Sequence, residues 1–284
     1  MEDEGVRYAL GMKSPTVGRW QLAQELGKLR GERPRDRVAK AIDVAPSSIT
    51  RWEDPSGAIP RRRDLHALLE YYEVPKDEIG RYLELRERAR ESGWWQRYGI
   101  KGGYGTYIGL ESDARKIQRY DAIHIPGLFQ TEDYQRAMAA GSMADASHEE
   151  IDRLIGVRKE RQRVWMERRP QTWTIIDEAA IHRVVGGPEV MRAQLEHVIA
   201  LMGEPHVTVQ LLPYEIGAHA AMETGPFTVL DVGTLSVVHV EQYKSILFRD
   251  GPREVEEHLS VLDKLRMEAY GDAKTKIGLR NALR

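Results

Sequence analysis

Two groups of residues in this 284-residue chain carry side chains that could do chemistry. The first is the polar run Ser47-Ser48-Ile49-Thr50-Arg51. Hydroxyls and a guanidinium spaced over one or two helical turns can exchange hydrogen bonds with base edges and phosphates, and arginine suits guanine. Arg35, Arg37 and the run Arg61-Arg62-Arg63 lie on either side of it and supply cations for a phosphate backbone. The second group is Asp177-Glu178 with His182, and the distant His219. Glu178 and His219 together could form an acid–base pair of the kind a hydrolase or transferase uses. The plainer reading makes Asp177 and Glu178 caps of a short helix after a strand, with His219 satisfying a loop.

Other chemistries lack their residues. The chain has no cysteine, so disulfides, thiolate metal sites and cysteine nucleophiles are excluded. Its nine histidines show no metal spacing, and no metal is expected. Gly186-Gly187-Pro188 precedes a helical stretch but lacks the glycine run and lysine of a phosphate-cradling loop, so no cofactor is expected. No stretch approaches the roughly 20 apolar residues that span a bilayer, and the acidic start Met1-Glu2-Asp3-Glu4 does not resemble a signal peptide. A cytoplasmic protein with no membrane partner is the expectation.

Net charge is −2, but it is unevenly placed. Between Lys13 and Arg63 stand twelve Lys or Arg against six Asp or Glu, a surplus of +6. The rest carries 30 basic against 38 acidic residues, or −8. Such a chain turns one end toward a polyanion.

The elements that position the first group read as five short helices. Leu22, Leu26 and Leu29 mark a helix over 16–30, Pro34 opens one over 35–42, and Pro46 starts a third through about Glu53. Asp54 to Pro60 is a loop, and helices follow over 62–72 and 76–91. Val38, Ala39, Ile42, Val44 and Ile49 are spaced to form the inner faces of a helix pair whose second member presents Pro46, Ser47, Ser48, Thr50 and Arg51 outward. The alternative is a plain helical bundle with ordinary surface arginines.

Ser92 to Thr106 mixes glycines with Trp94, Trp95, Tyr98 and Tyr104, which suits a packed junction better than a tether. Beyond it, helices are expected over 109–119, 131–139, 151–168, 188–202 and 253–270, with strands over 172–176, 207–212, 227–230, 235–240 and 245–248. Ser147-His148-Glu149-Glu150 reads as a capping box. The fold class is therefore α+β multidomain: an all-α helix-turn-helix head (1–91), the junction (92–106), and a larger α/β domain with a small mixed sheet (107–284).

Over residues 17–74 the sequence resembles the Xre/lambda-repressor-like helix-turn-helix family. The match rests on Val38-Ala39, Val44, Ser47-Ser48-Ile49-Thr50-Arg51 and Glu53. It departs from the family at Asp43, where glycine is frequent, and at Arg35 and Pro46, where glutamine is frequent. From Trp95 to Tyr270 it resembles the domain that follows such a head in WhiJ-like actinobacterial regulators. That likeness is carried by Ile125-Pro-Gly-Leu-Phe-Gln-Thr-Glu-Asp-Tyr134, Asp177-Glu-Ala-Ala-Ile181, Val185-Gly-Gly-Pro-Glu-Val-Met191, Val207-Thr-Val-Gln-Leu-Leu-Pro213 and Gly217-Ala-His-Ala220.

The resemblance implies a non-enzymatic, sequence-specific transcriptional regulator that binds double-stranded DNA. A homodimer is expected because one small head buries little surface. The larger domain would sense an effector or bind a small companion protein encoded nearby. An antitoxin-like regulatory pair is the alternative, and a hydrolase or transferase using Glu178 and His219 is the third reading.

Overall fold

The computed structural model describes residues 15–100, 102–143, 146–242 and 245–282. The chain divides into two compact units, Met1–Asp113 and Ala114–Arg284.

The first unit is helical: α1 (Pro15–Arg30), α2 (Arg35–Ala41), α3 (Pro46–Trp52), α4 (Arg62–Tyr71), α5 (Lys76–Arg90) and α6 (Gly102–Asp113). A single turn of 3-10 helix, Trp94–Tyr98, precedes α6. The apolar residues spaced three and four apart converge on one core. Leu22, Leu26, Val38, Ala39, Ile49, Trp52, Leu65, Leu68 and Leu69 are all buried there, with Leu29, Ile42 and Val44 packed at its edge. The aromatic stretch packs as well. Trp95 is 5% exposed, and Cβ atoms added at Gly93, Gly105 or Gly109 would lie 2.3, 3.1 and 2.8 Å from its indole. Glycine at these points is what lets the turn at Gly93 and the face of α6 close on one ring.

The second unit holds β1 (Lys116–Asp121), α7 (Glu132–Ser142), α8 (His148–Arg168), β2 (Gln171–Asp177), α9 (Glu178–His182), α10 (Pro188–Leu201), β3 (Val207–Leu212), β4 (Phe227–Val232), β5 (Leu235–Gln242), β6 (Ser245–Arg249), α11 (Pro252–Glu268) and α12 (Asp272–Asn281). Six strands form one mixed sheet in the order β3-β2-β1-β4-β5-β6. β1, β2 and β3 are parallel, with Ile117 beside Thr172 and Thr172 beside Val207; β4, β5 and β6 add an antiparallel meander. Tyr120, Ile175, Leu212, Phe227, Val229 and Val238 form a core with Val255, Leu262 and Leu265 of α11. Side chains cap α7 and α8, and the capping box read at Ser147 is one of these caps. Thr131 accepts from the Tyr134 amide, and Ser147 and Glu150 close a reciprocal capping box.

Two segments correct the sequence reading. The helix expected over 109–119 is instead the end of α6, at Asp113, followed by the strand β1. β1 lies between β2 and β4, yet Lys-Ile-Gln-Arg-Tyr-Asp shows no apolar alternation. Several of its polar side chains have partners of their own. Arg266 donates to Gln118, and Arg119 pairs with Asp121 through two bonds of 2.6 Å. The helix expected to close the chain at 270 ends at Glu268, and α12 follows. α12 is held by Leu279 and by Thr275, both fully buried; Thr275 donates to the Tyr270 carbonyl and accepts from the Leu211 amide.

Candidate nucleic-acid interface

α2 and α3 form the helix pair, and the chemistry of the turn between them sets their angle. Two residues past the end of α2, Asp43 stands at φ 54°, and the Val44 amide donates to the Ala39 carbonyl at 3.0 Å. This is a left-handed cap of the kind glycine makes at lowest cost, here made by aspartate. Pro46 then occupies the first turn of α3, where its missing N–H removes no helical bond. Val38 and Ala39 at 0% exposure and Ile49 at 1% lock the inner faces together.

The opposite side of α3 faces outward. Ser47, Thr50 and Arg51 are exposed, Pro46 likewise, and Ser48 is half-buried. Arg51 lies back along its own helix, with Nε 3.3 Å from the Ser47 carbonyl. The flanking cations divide by environment. Arg37, Arg61 and Arg62 are exposed and make no ion pair among the described residues. Arg63 is exposed but pairs with the adjacent Asp64 at 2.9 Å.

Arg35 is placed differently from the others. Its guanidinium reaches Glu53 at 2.8 Å, and the second Glu53 oxygen takes Arg30 Nε at 2.6 Å. The Glu53 side chain is only 7% exposed. One carboxylate thus ties the C-terminus of α1, the N-terminus of α2 and the end of α3. The same carboxylate, after burial itself, helps push the Tyr72 phenol up to about 12. Arg86 plays a comparable part on the far side. It is buried on α5 and donates to the Pro60 carbonyl at 2.8 Å, immediately before Arg61. The sequence reading gave no role to Arg30, Glu53 or Arg86. Arg86 falls seven residues after Ile79 on the buried stripe of α5, and Glu53 four after Ile49; a charge at such a position signals an internal anchor.

The carboxyl ends of β1, β2 and β3 gather the second group. Asp177 caps α9 by accepting from the Ala179 amide, and its other oxygen accepts from the Tyr120 hydroxyl at 2.9 Å. That carboxylate and burial push the Tyr120 phenol upward. His219 Nδ1 takes the Ala221 amide, and Nε2 stands 3.9 Å from Asp177. Glu178 accepts from the Tyr214 amide at 2.7 Å and faces His182 at 3.2 Å. The structure therefore brings His219 to Asp177 and Glu178 to His182; the pairing of Glu178 with His219 is not recorded among the described residues. One oxygen each of Asp177 and Glu178, and Nδ1 of His219, hold the backbone of a loop or a helix end. No group of three or more His, Asp or Glu able to hold a metal occurs among the described residues.

Comparison with known families bears on both units. Residues 21–82 match a family described as a helix-turn-helix domain, the segment that contains α2 and α3. Residues 104–277 match the family described as a domain of unknown function, DUF5753. The chain belongs to the DUF5753 family. No curated protein and no solved structure matches it. The helix-turn-helix domain ahead of the DUF5753 region marks the chain as a DNA-binding regulator. Among the described residues, no helix is long and apolar enough to cross a membrane.

Proposed function

We propose that this DUF5753 protein is a sequence-specific transcriptional regulator of the Xre/WhiJ-like type. The observation that carries the reading is the outward face of α3. Ser47, Thr50 and Arg51 point away from a helix whose inner side, Ile49 and Trp52, is buried. A helix of that width fits a major groove about 12 Å across. Arg37, Arg61 and Arg62, uncommitted to any ion pair among the described residues, are the phosphate anchors. Arg63, half spent on Asp64, adds less, and Arg35 orients α3 through Glu53 rather than reaching for DNA first.

The protein binds as a homodimer on two half-sites, because one helix-turn-helix unit buries too little surface for typical specific affinity. It works in the cytoplasm and is not an enzyme: Asp177, Glu178 and His219 act as caps and loop ties. Its second unit supports dimerisation and receives an effector or a small companion protein; an antitoxin-like pair is a variant of the same arrangement. Sequencing of genomic fragments retained by the purified protein tests the reading. A recurrent palindromic motif with half-sites one helical turn apart is expected. Retention of fragments without any shared motif would refute it.

A further inference from the structure

A cavity of about 350 Å³ opens within the first unit, and no residue of α3 lines it. Its wall contains Arg19 of α1, Pro55 and Ser56 of the loop after α3, and Trp95, Gln96 and Ile100 of the aromatic stretch. The volume lies in the range of small-molecule sites, and the lining is divided about evenly between apolar and polar surface, which suits a ligand with one flat apolar part and one polar head.

Arg19 is the unusual member. Its Nε donates to the Ala89 carbonyl at 3.1 Å, and it has no carboxylate partner among the described residues. Burial alone pulls its pKa below the ordinary guanidinium value, and no neighbouring charge opposes that effect. A half-buried cation that keeps its charge but lacks an anion is costly, and an incoming carboxylate offsets that cost with charge-assisted hydrogen bonds. Trp95 supplies a flat wall held in place by the surrounding glycines, with Ile100 and Pro55 as further apolar surface. Ser56 and Gln96 add hydrogen-bonding groups.

The cavity also adjoins the support of α3. The Ser56 amide donates to the Asp54 side chain, and the Gly57 amide to the Asp54 carbonyl, both at 2.8 Å. A Cβ at Gly57 would lie 2.0 Å from the Arg51 carbonyl, so this loop presses directly on the last turn of α3. Whatever touches Pro55 and Ser56 acts on the segment that fixes where Arg51 stands.

We propose that this cavity is a site for a small planar organic carboxylate, held by Arg19 against Trp95, and that its occupancy adjusts α3 through the Pro55–Ser56 loop. The site itself does not depend on the DNA-binding reading; its effect on α3 as a DNA reader rests on it.

Isothermal titration of the full chain with benzoate, salicylate, inorganic phosphate and benzylamine tests the site. Heat from the two carboxylates, and none from phosphate or benzylamine, is expected. Arg19→Gln should weaken carboxylate binding by about tenfold or more. Thr106→Phe, which fills the cavity from α6, should abolish it while leaving the thermal midpoint intact; this variant keeps the test open if Arg19→Gln does not fold. No heat from either carboxylate at about 10 mM would overturn the proposal, since affinity weaker than that leaves too little binding energy for an effector. Equal binding of phosphate, or unchanged binding in both folded variants, would overturn it too. In a second measurement, benzoate should shift the footprinting midpoint on a motif-bearing fragment. Binding heat without such a shift would overturn the effect on α3, whereas a missing motif would refute the regulator reading and leave the titration standing.

Discussion

Replacing Glu53 by glutamine removes the one negative charge between Arg30 and Arg35 while keeping side-chain shape. The two partners contribute unequally. Arg30 is 17% exposed and bonds at 2.6 Å, so its lost charge-assisted bond costs about 2 kcal/mol. Arg35 is 47% exposed, and solvent screening reduces its share to about 0.5 kcal/mol. The sum, about 2.5 kcal/mol, would lower the thermal midpoint of a unit of this size by roughly 10–20 °C. Urea unfolding followed by tryptophan fluorescence reads the change, because Trp52 is buried in the same core. Arg35→Ala should cost well under half as much as Glu53→Gln. If Glu53→Gln costs less than about 0.5 kcal/mol, or if Arg35→Ala costs more than it does, the clamp holding α3 is misread.

Further outcomes follow from the same geometry. Asp43→Gly relieves the left-handed cap at φ 54° and should stabilise the first unit by about 1 kcal/mol in urea unfolding. Arg61→Ala or Arg62→Ala should each reduce the slope of log affinity against log salt by about 1 in a fluorescence-anisotropy titration, with little change in motif preference. Tyr72, whose phenol is pushed up to about 12, stays protonated in the folded state while the unfolded chain loses that proton near 10. Its contribution to stability is full below pH about 10 and disappears as pH rises to about 12; Tyr72→Phe should flatten that part of the stability profile.

The helix pair was legible in the sequence because its signals are local. Val38, Ala39 and Ile49 fall at helical spacing, and Pro46 marks a helix start. The outward set of α3 followed from the same spacing. What stayed hidden was long-range. Arg35 reads as a phosphate anchor, and nothing local announces that Glu53, eighteen residues on, also pairs with it. β1 escaped because Gln118 and Asp121 are buried with polar partners, Asp121 beside a partly buried Arg119, and period-based reading counts only apolar residues. α12 escaped because it has few apolar anchors, Leu279 sharing the buried face with the hydroxyl of Thr275. His219 was matched to the wrong one of two adjacent carboxylates, since Asp177 and Glu178 leave the end of β2 in different directions and sequence does not say which faces the loop.

The central claim is that the outward side of α3 reads DNA sequence. Competition gel shifts with wild type and Ser47→Ala/Thr50→Ala/Arg51→Ala, on a motif-bearing fragment and a scrambled one at several salt concentrations, test it most directly. The account predicts that wild type prefers the motif by about 10³ or more and that the triple variant loses most of this preference while keeping its salt-dependent binding to any duplex. A triple variant that still discriminates as wild type does, with its fold intact, would contradict it.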